Sequence, residues 1–159
     1  MIPEKNGTPV AAYTIAILGS KSPAVLTLPG RLPGLNEYTA ACRTNAYRGH
    51  QMKREAQETA EWQIMAQLRG LHFTKPVFLL FTFYEPDKRR DKDNVSAFAH
   101  KVIQDALVQR GVLLGDGWGH VTGYLDQFRV DKGNPRIVVE FIEQEVATCK
   151  ERRAKSSKK

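Results

Sequence analysis

Two aspartates, Asp91 and Asp93, stand two positions apart in a run where acidic and basic residues alternate. Carboxylates this close repel each other unless a cation neutralises them, and Mg²⁺ is commonly held by one or two carboxylates with positions left open for phosphate. Because the run follows a predicted strand, we expect the two side chains to converge on one point. The neighbouring basic residues suit a polyanion; they are Arg89, Arg90 and Lys92. The run therefore predicts phosphodiester chemistry.

A third aspartate, Asp116, lies in a glycine-rich turn after the next predicted helix. Gly115 and Gly117 on either side of it allow the backbone to approach a neighbour or a ligand closely. Taken alone, such an aspartate is more often an ordinary turn residue. Together with Asp91 and Asp93 it supplies a third carboxylate, and we expect the three to form one metal site.

The helix between these aspartates carries a polar stripe at the edge of its apolar face. At 100° per residue, Asn94, Lys101 and Asp105 fall in one narrow sector. A lysine in this position could hold the scissile phosphate and offset the charge that builds up in the transition state. Asp105, one turn beyond, could orient Lys101 through an ion pair, or the two could form an ordinary surface pair. We expect Lys101 to be catalytic and Asn94 and Asp105 to support it.

The elements that must position these residues follow from hydrophobic periodicity. The predicted order is β-α-β-α-β-β, in a single α+β domain of α/β-like character with a mixed sheet and two main helices. The strands are predicted at about 24–29, 77–84, 121–130 and 136–142, and the helices at about 47–68 and 95–109. A loop is predicted between the first strand and the first helix.

The 159 residues suffice for one domain, which we assign to 24–145. Residues 1–23 are rich in proline and glycine and are predicted to be a poorly ordered leader with at most one strand. Residues 146–159 are predicted to be a solvated basic tail. The last ten residues contribute +5 of the net charge of +7, so the overall charge is weak support for nucleic-acid binding.

Several classes of protein are excluded by absent motifs. The two cysteines, Cys42 and Cys149, are too few for a disulfide framework and do not form a C-x-x-C zinc motif, which favours a reduced cytoplasmic setting. The apolar stretch 10–18 is too short to span a membrane. The chain has neither a P-loop nor the H-E-x-x-H motif, and no small-molecule cofactor is expected. Trp118 is predicted to be a core residue rather than a base-stacking one.

These motifs together resemble a known family. The run RRDKDN, a following helix with Lys101 and Asp105-Ala106-Leu107, then Gly111-Val112 and Asp116, is similar to the RusA family of Holliday-junction resolvases, which are phage- and prophage-derived endonucleases. The segment from Leu28 to Asn36 resembles that family's first strand and loop. The resemblance covers about 24–143. The position before Asp116 is often acidic in the family and is Gly115 here.

The resemblance implies an activity and its partners. It implies Mg²⁺, with Mn²⁺ as a substitute, bound by Asp91, Asp93 and Asp116, and Lys101 as the active-site lysine. It also implies a homodimer that acts on four-way DNA junctions in the cytoplasm of a bacterial host, without a membrane. The residues expected to contact DNA phosphates are Arg89, Arg90, Lys92, Arg31, Arg43 and Lys53.

Two alternatives stay open at this point. One is a metal-dependent nuclease that acts on other branched or linear nucleic acid. The other is a non-catalytic, basic DNA-binding phage accessory protein, whose acidic turn merely pairs with its own arginines.

Overall fold

The structure, a computed structural model, describes residues 24–144. The predicted leader, residue 145 of the predicted domain and the whole predicted tail, which includes Cys149, lie outside the described residues. The described chain forms, in order, β1 (Ala24–Pro29), α1 (Leu35–Thr44), α2 (Ala46–Gln67), β2 (Val77–Glu85), α3 (Lys92–Gln109), β3 (Val121–Val130) and β4 (Arg136–Glu143). The predicted α+β fold with a mixed sheet is confirmed.

The four strands form one sheet in the order β1-β4-β2-β3. Strand β4 is antiparallel to both β1 and β2, whereas β2 and β3 are parallel. Parallel neighbours need a crossover connection, and α3 supplies it. As a result both ends of α3 are tied to the sheet, the N-terminal end through β2 and the C-terminal end through β3.

The core lies between the helices and one face of the sheet. Alternate residues of the strands point into it, among them Leu79, Phe81 and Val139, which are all fully buried. Helix α3 contributes the apolar face that its periodicity predicts; it comprises Val95, Phe98, Ala99, Val102, Ile103, Ala106 and Leu107. Within the described chain, no helix is long and apolar enough to cross a membrane.

Helix α1 was not expected, since a loop is predicted between the first strand and the first helix, and that prediction is wrong. No residue of α1 is fully buried, so its face toward the core is marked only weakly in the sequence, by residues such as Tyr38, whose ring centre lies 4.6 Å from that of Phe98. Its first turn is instead stabilised from a distant part of the chain. The Oδ1 atom of Asn94 accepts a hydrogen bond from the backbone N–H of Asn36 at 2.8 Å. A Cβ at Gly34 would lie 2.6 Å from the same oxygen, so only glycine fits there without a shift.

We expect Asn94→Ala to lower the free energy of unfolding by about 1 kcal/mol, because the start of α1 would lose its acceptor. Thermal denaturation should show a fall in Tm of about 2–4 °C. Asn45→Ala is the matched comparison, since Asn45 caps α2 by accepting from Tyr47 N at 2.8 Å without touching α3. An Asn94→Ala protein as stable as the wild type would show that this cap contributes nothing.

Candidate active site

Asp91 and Asp93 lie at the N-terminal end of α3. The helix begins at Lys92, three residues earlier than predicted, so Asp91 is its N-cap residue and Asp93 lies in its first turn. Acidic side chains are favoured there because the helix dipole is positive at this end. The side chain of Asp91 nevertheless makes no capping hydrogen bond. Both aspartates are exposed, and within residues 24–144 neither forms an ion pair.

A buried ion-pair network fixes the turn that leads into this helix. Glu85, 8% exposed at the end of β2, accepts from Arg90 Nη2 at 2.7 Å and from Arg90 Nε at 3.2 Å. Arg31 Nη2 lies 2.8 Å from Glu85 Oε2, the oxygen that also accepts from Arg90 Nε, and Arg90 Nη1 donates to the carbonyl of Leu32 at 3.1 Å. Arg31 and Arg90, both predicted to contact DNA, are thus engaged in positioning the acidic pair.

An open groove of about 1150 Å³ runs beside the acidic pair. Carboxylates and cations both line it, including Asp87, Asp91, Asp93, Lys88, Lys92 and Arg129. The ammonium of Lys92 lies 5.7 Å from the ring centre of Phe128 on β3. A surface with both signs of charge suits a divalent cation together with a phosphate better than either one alone.

A second charged group, the Lys101 cluster, lies further along α3 and consists of Lys101, Asp105, Asp116 and Lys53. Lys101 Nζ lies 2.7 Å from Asp105 and 3.5 Å from Asp116. The predicted ion pair between Lys101 and Asp105 is therefore present. Lys53, predicted to contact DNA, instead lies 2.9 Å from Asp105 and joins α2 to α3.

The contacts within this cluster fix its protonation. The hydrogen bond to Asp105 raises the pKa of Lys101 above its ordinary value, while partial burial opposes that rise. Burial alone would raise the pKa of Asp105, but hydrogen bonds from Lys101 and Lys53 outweigh it and lower that pKa. Lys101 is consequently a protonated donor at neutral pH and cannot act as a base.

The lowered pKa of Asp105 gives a pH-dependent stability. A carboxyl with a lower pKa in the folded than in the unfolded state stabilises the fold above its unfolded pKa, about 3.9. That stabilisation is lost as the pH falls through the folded pKa. We expect urea unfolding to show Asp105→Asn less stable than the wild type at pH 7, with the difference shrinking as the pH falls below the unfolded pKa and through the lower folded pKa. Glu58→Gln, which breaks an exposed pair with Arg54, should change little across the same pH range.

The structure does not bring the three predicted aspartates together. Lys101 follows Asp93 by eight residues on one unbroken helix, which separates their Cα atoms by about 12 Å along the axis. Asp116 lies with Lys101 and not with the acidic pair. In residues 24–144 no group of three or more His, Cys, Asp or Glu side chains is placed to hold a metal ion. One Mg²⁺ held by all three aspartates, as the sequence predicts, would need Asp116 to lie closer to Asp91 and Asp93 than it does here.

The turn that carries Asp116 departs from prediction at Trp118. This residue was expected in the core, but it is 100% exposed, so that prediction is wrong. A Cβ at Gly115 would lie 2.8 Å from Cδ2 of His120. The imidazole ring thus occupies the space of a side chain at position 115, and a larger residue there would require the ring to shift.

The other predicted DNA contacts stay on the surface. Arg89 has a side chain that is 89% exposed and lies 3.6 Å from Asp87. Lys92 and Arg43 are exposed as well. Of the six predicted contacts, these three offer the most accessible charge to a polyanion.

Sequence reasoning missed two residues that hold α3 in place. Glu85 ends an apolar strand five residues before Arg90, and a lone acid in that position is the signal that could have identified it. His100 Nε2 lies 2.7 Å from Asp126 Oδ1 on β3, with both side chains largely buried. No local sequence pattern links His100 to Asp126, because the two come together only when β3 pairs with β2.

Comparisons with known proteins identify no family. No protein-family profile and no curated protein matches the chain. Among solved structures, the chain is similar to the periplasmic domain of MotB from Helicobacter pylori, with 16% sequence identity and a TM-score of 0.34. That match covers 87% of this chain and 93% of the MotB domain. A TM-score this low carries no argument about fold or function.

Proposed function

We propose that this protein is a Mg²⁺-dependent endodeoxyribonuclease that resolves four-way DNA junctions, with Asp91 and Asp93 as its metal-binding pair. The observation that carries the proposal is that both carboxylates of this pair are exposed and unpaired within residues 24–144. Two exposed carboxylates at a helix N-terminus, beside Arg89 and Lys92, make no ion pair within the described chain. Their place at the positive end of the α3 dipole is favourable, neither carboxylate is engaged by a cation of the described chain, and both line an open groove.

The chain's own residues divide the work of binding. Glu85 and Arg90 hold the turn so that both carboxylates stay at the groove. Arg89 and Lys92 neutralise the phosphates beside the scissile one. A divalent cation bound here supplies Lewis-acid activation of the phosphodiester.

In this proposal Lys101 and Asp116 have roles other than the catalytic and metal-binding roles that the sequence predicts. Along the axis of a DNA duplex, a separation of about 12 Å corresponds to three or four base-pair steps, at about 3.4 Å of axis each. Lys101, held protonated by Asp105, therefore binds a phosphate away from the cleaved bond. Asp116 adjusts the direction of its ammonium group.

Resolution of a junction needs two matched cuts. Each chain offers one acidic pair, so two copies related by a two-fold axis would supply the two sites. Mn²⁺ would substitute for Mg²⁺, since both prefer oxygen ligands. Such an enzyme would act in the cytoplasm of a bacterial host.

The test is cleavage of matched substrates. A labelled four-way junction and a linear duplex of the same sequence are incubated with the protein in Mg²⁺, in Mn²⁺ and in EDTA. We expect paired nicks in the junction with either metal and none in EDTA. Equal rates on the duplex and the junction would refute junction resolution and favour a general metal-dependent nuclease.

The absence of a three-carboxylate group from residues 24–144 favours a second candidate, a non-catalytic DNA-binding protein. In that case the junction is bound equally well with and without Mg²⁺ and is never cut. The same two assays, cleavage and binding, separate the candidates.

A further inference from the structure

The turn between α3 and β3 carries two large apolar side chains that are exposed. Trp118 is 100% exposed and Leu114 is 67% exposed, one on each side of Asp116. A tryptophan side chain offers about 150–250 Å² for burial, so its full exposure is unfavourable unless a partner covers it. Single exposed apolar residues are common on proteins, but a fully exposed tryptophan on a fixed turn is available to a partner.

Trp118 is held outward by a fixed turn. The carbonyl of Gly117 accepts hydrogen bonds from the backbone N–H groups of His120 and Val121, each at 3.0 Å. The carbonyl of His120 in turn accepts from Val77 N on β2 at 2.9 Å, which ties the turn to the sheet. The indole is consequently presented from a hydrogen-bonded support.

The surroundings of Trp118 are open. Apart from adjoining residues, no atom of the described chain lies within 4 Å of a Cβ built at Gly117 or at Gly119. Protein-binding tryptophans usually sit inside a ring of neighbouring contacts that exclude water. An isolated indole with both faces free suits a flat aromatic partner better.

We propose that Trp118 stacks on an unpaired nucleobase of bound DNA. This inference rests on the proposed function, since it takes DNA as the ligand. Every base has a π-face, so stacking of this kind tolerates any sequence. Asp116, two residues before Trp118 in the same turn, lies 3.5 Å from Lys101 Nζ, so the turn that carries the indole adjoins the proposed phosphate contact. At a branch point, where pairing is interrupted, Trp118 holds an unstacked base while Lys101 holds the backbone.

The chain allows a direct optical test, because Trp62 and Trp118 are its two tryptophans. Trp62 is 68% exposed on α2 and serves as the matched control. Trp62→Phe leaves Trp118 as the single indole, and Trp118→Phe leaves Trp62. Each variant is titrated with a four-way junction in EDTA, so that no cleavage occurs. We expect strong fluorescence quenching in Trp62→Phe and little change in Trp118→Phe.

Affinity provides the second measurement. Loss of one stacked base weakens binding about 5- to 150-fold, so Trp118→Ala should bind the junction more weakly by that factor. Trp62→Ala should bind like the wild type, and circular dichroism checks that both variants are folded. Unchanged affinity of Trp118→Ala, or unquenched Trp118 at saturating DNA, would overturn the inference.

The remaining outcomes separate this inference from the proposed function. Quenching of Trp118 without any cleavage in Mg²⁺ would leave the stacking role standing and remove the nuclease. Fluorescence of Trp62→Phe that changes with protein concentration alone, together with a smaller assembly in Trp118→Ala, would assign Trp118 to self-association and overturn stacking. Failure to bind any junction would remove both.

Discussion

Replacing Asp91 or Asp93 by asparagine should abolish Mg²⁺-dependent cleavage of a four-way junction while leaving DNA binding intact. Asparagine keeps the size of the side chain but removes the charge that holds the cation. Cation activation of a phosphodiester contributes several kcal/mol to the transition state, so we expect a loss of at least about 10³-fold in the cleavage rate. Binding in EDTA should stay equal or tighten slightly, since a negative charge near the phosphates is lost.

Asp131→Asn is the matched control for these variants. Asp131 lines the same groove, but its carboxylate accepts from Arg136 at 2.7 Å and is already paired. The control removes one charge from the groove without touching the acidic pair, and it should cleave at close to the wild-type rate. A similar loss in all three variants would mean that the general charge of the groove matters, and not a metal held by Asp91 and Asp93.

Arg90→Met should lower the free energy of unfolding by about 3 kcal/mol. This is the largest loss of stability that we expect from a single substitution in this protein's candidate site. The side chains of Arg90 and Glu85 are only 13% and 11% exposed. Removing one partner of a buried pair leaves an uncompensated charge, which typically costs about 3–5 kcal/mol. We take the lower end because Arg31 still contacts Glu85. Tm should fall by about 6–12 °C in thermal denaturation.

The adjacent residue Arg89 provides the control for this effect. Its side chain is 89% exposed, so Arg89→Met should change the free energy of unfolding by less than about 0.5 kcal/mol. The two variants remove the same charge one position apart. Equal stability of the two would contradict the role of Glu85 and Arg90 as the support of the acidic pair.

The sequence alone predicts those helices and strands whose physical signal lies within a few neighbouring residues. The nearly continuous apolar run Val77–Tyr84 predicts a central strand, and the apolar positions of α3 predict its buried face. Helix α1 was not predicted because none of its residues is fully buried and its first turn depends on Asn94, which lies 58 positions after Asn36. A contact at that distance along the chain leaves no periodic trace.

In the candidate site, too, local contacts were predictable from the sequence and the relative positions of distant residues were not. The ion pair of Lys101 with Asp105 was predictable, because residues four apart on a helix are neighbours. The place of the lysine relative to the acidic pair was not, since it depends on where α3 begins. With the helix starting at Lys92, Asp93 and Lys101 are two turns apart instead of side by side. Trp118 was misplaced because exposure of a large apolar residue runs against the general tendency.

The unbroken course of α3 limits how this protein can change in length. Each residue inserted between Asp93 and Lys101 moves the lysine about 1.5 Å further and turns it by about 100°. One added residue would therefore turn the side chain of Lys101 away from Asp116. Two added residues would rotate that side chain beyond the edge of the buried face of α3. Additions close to a whole turn keep its direction and change only its reach. Variants of this chain should accordingly tolerate insertions here in steps of three or four residues, with each step shifting the DNA contact by about one and a half base-pair steps.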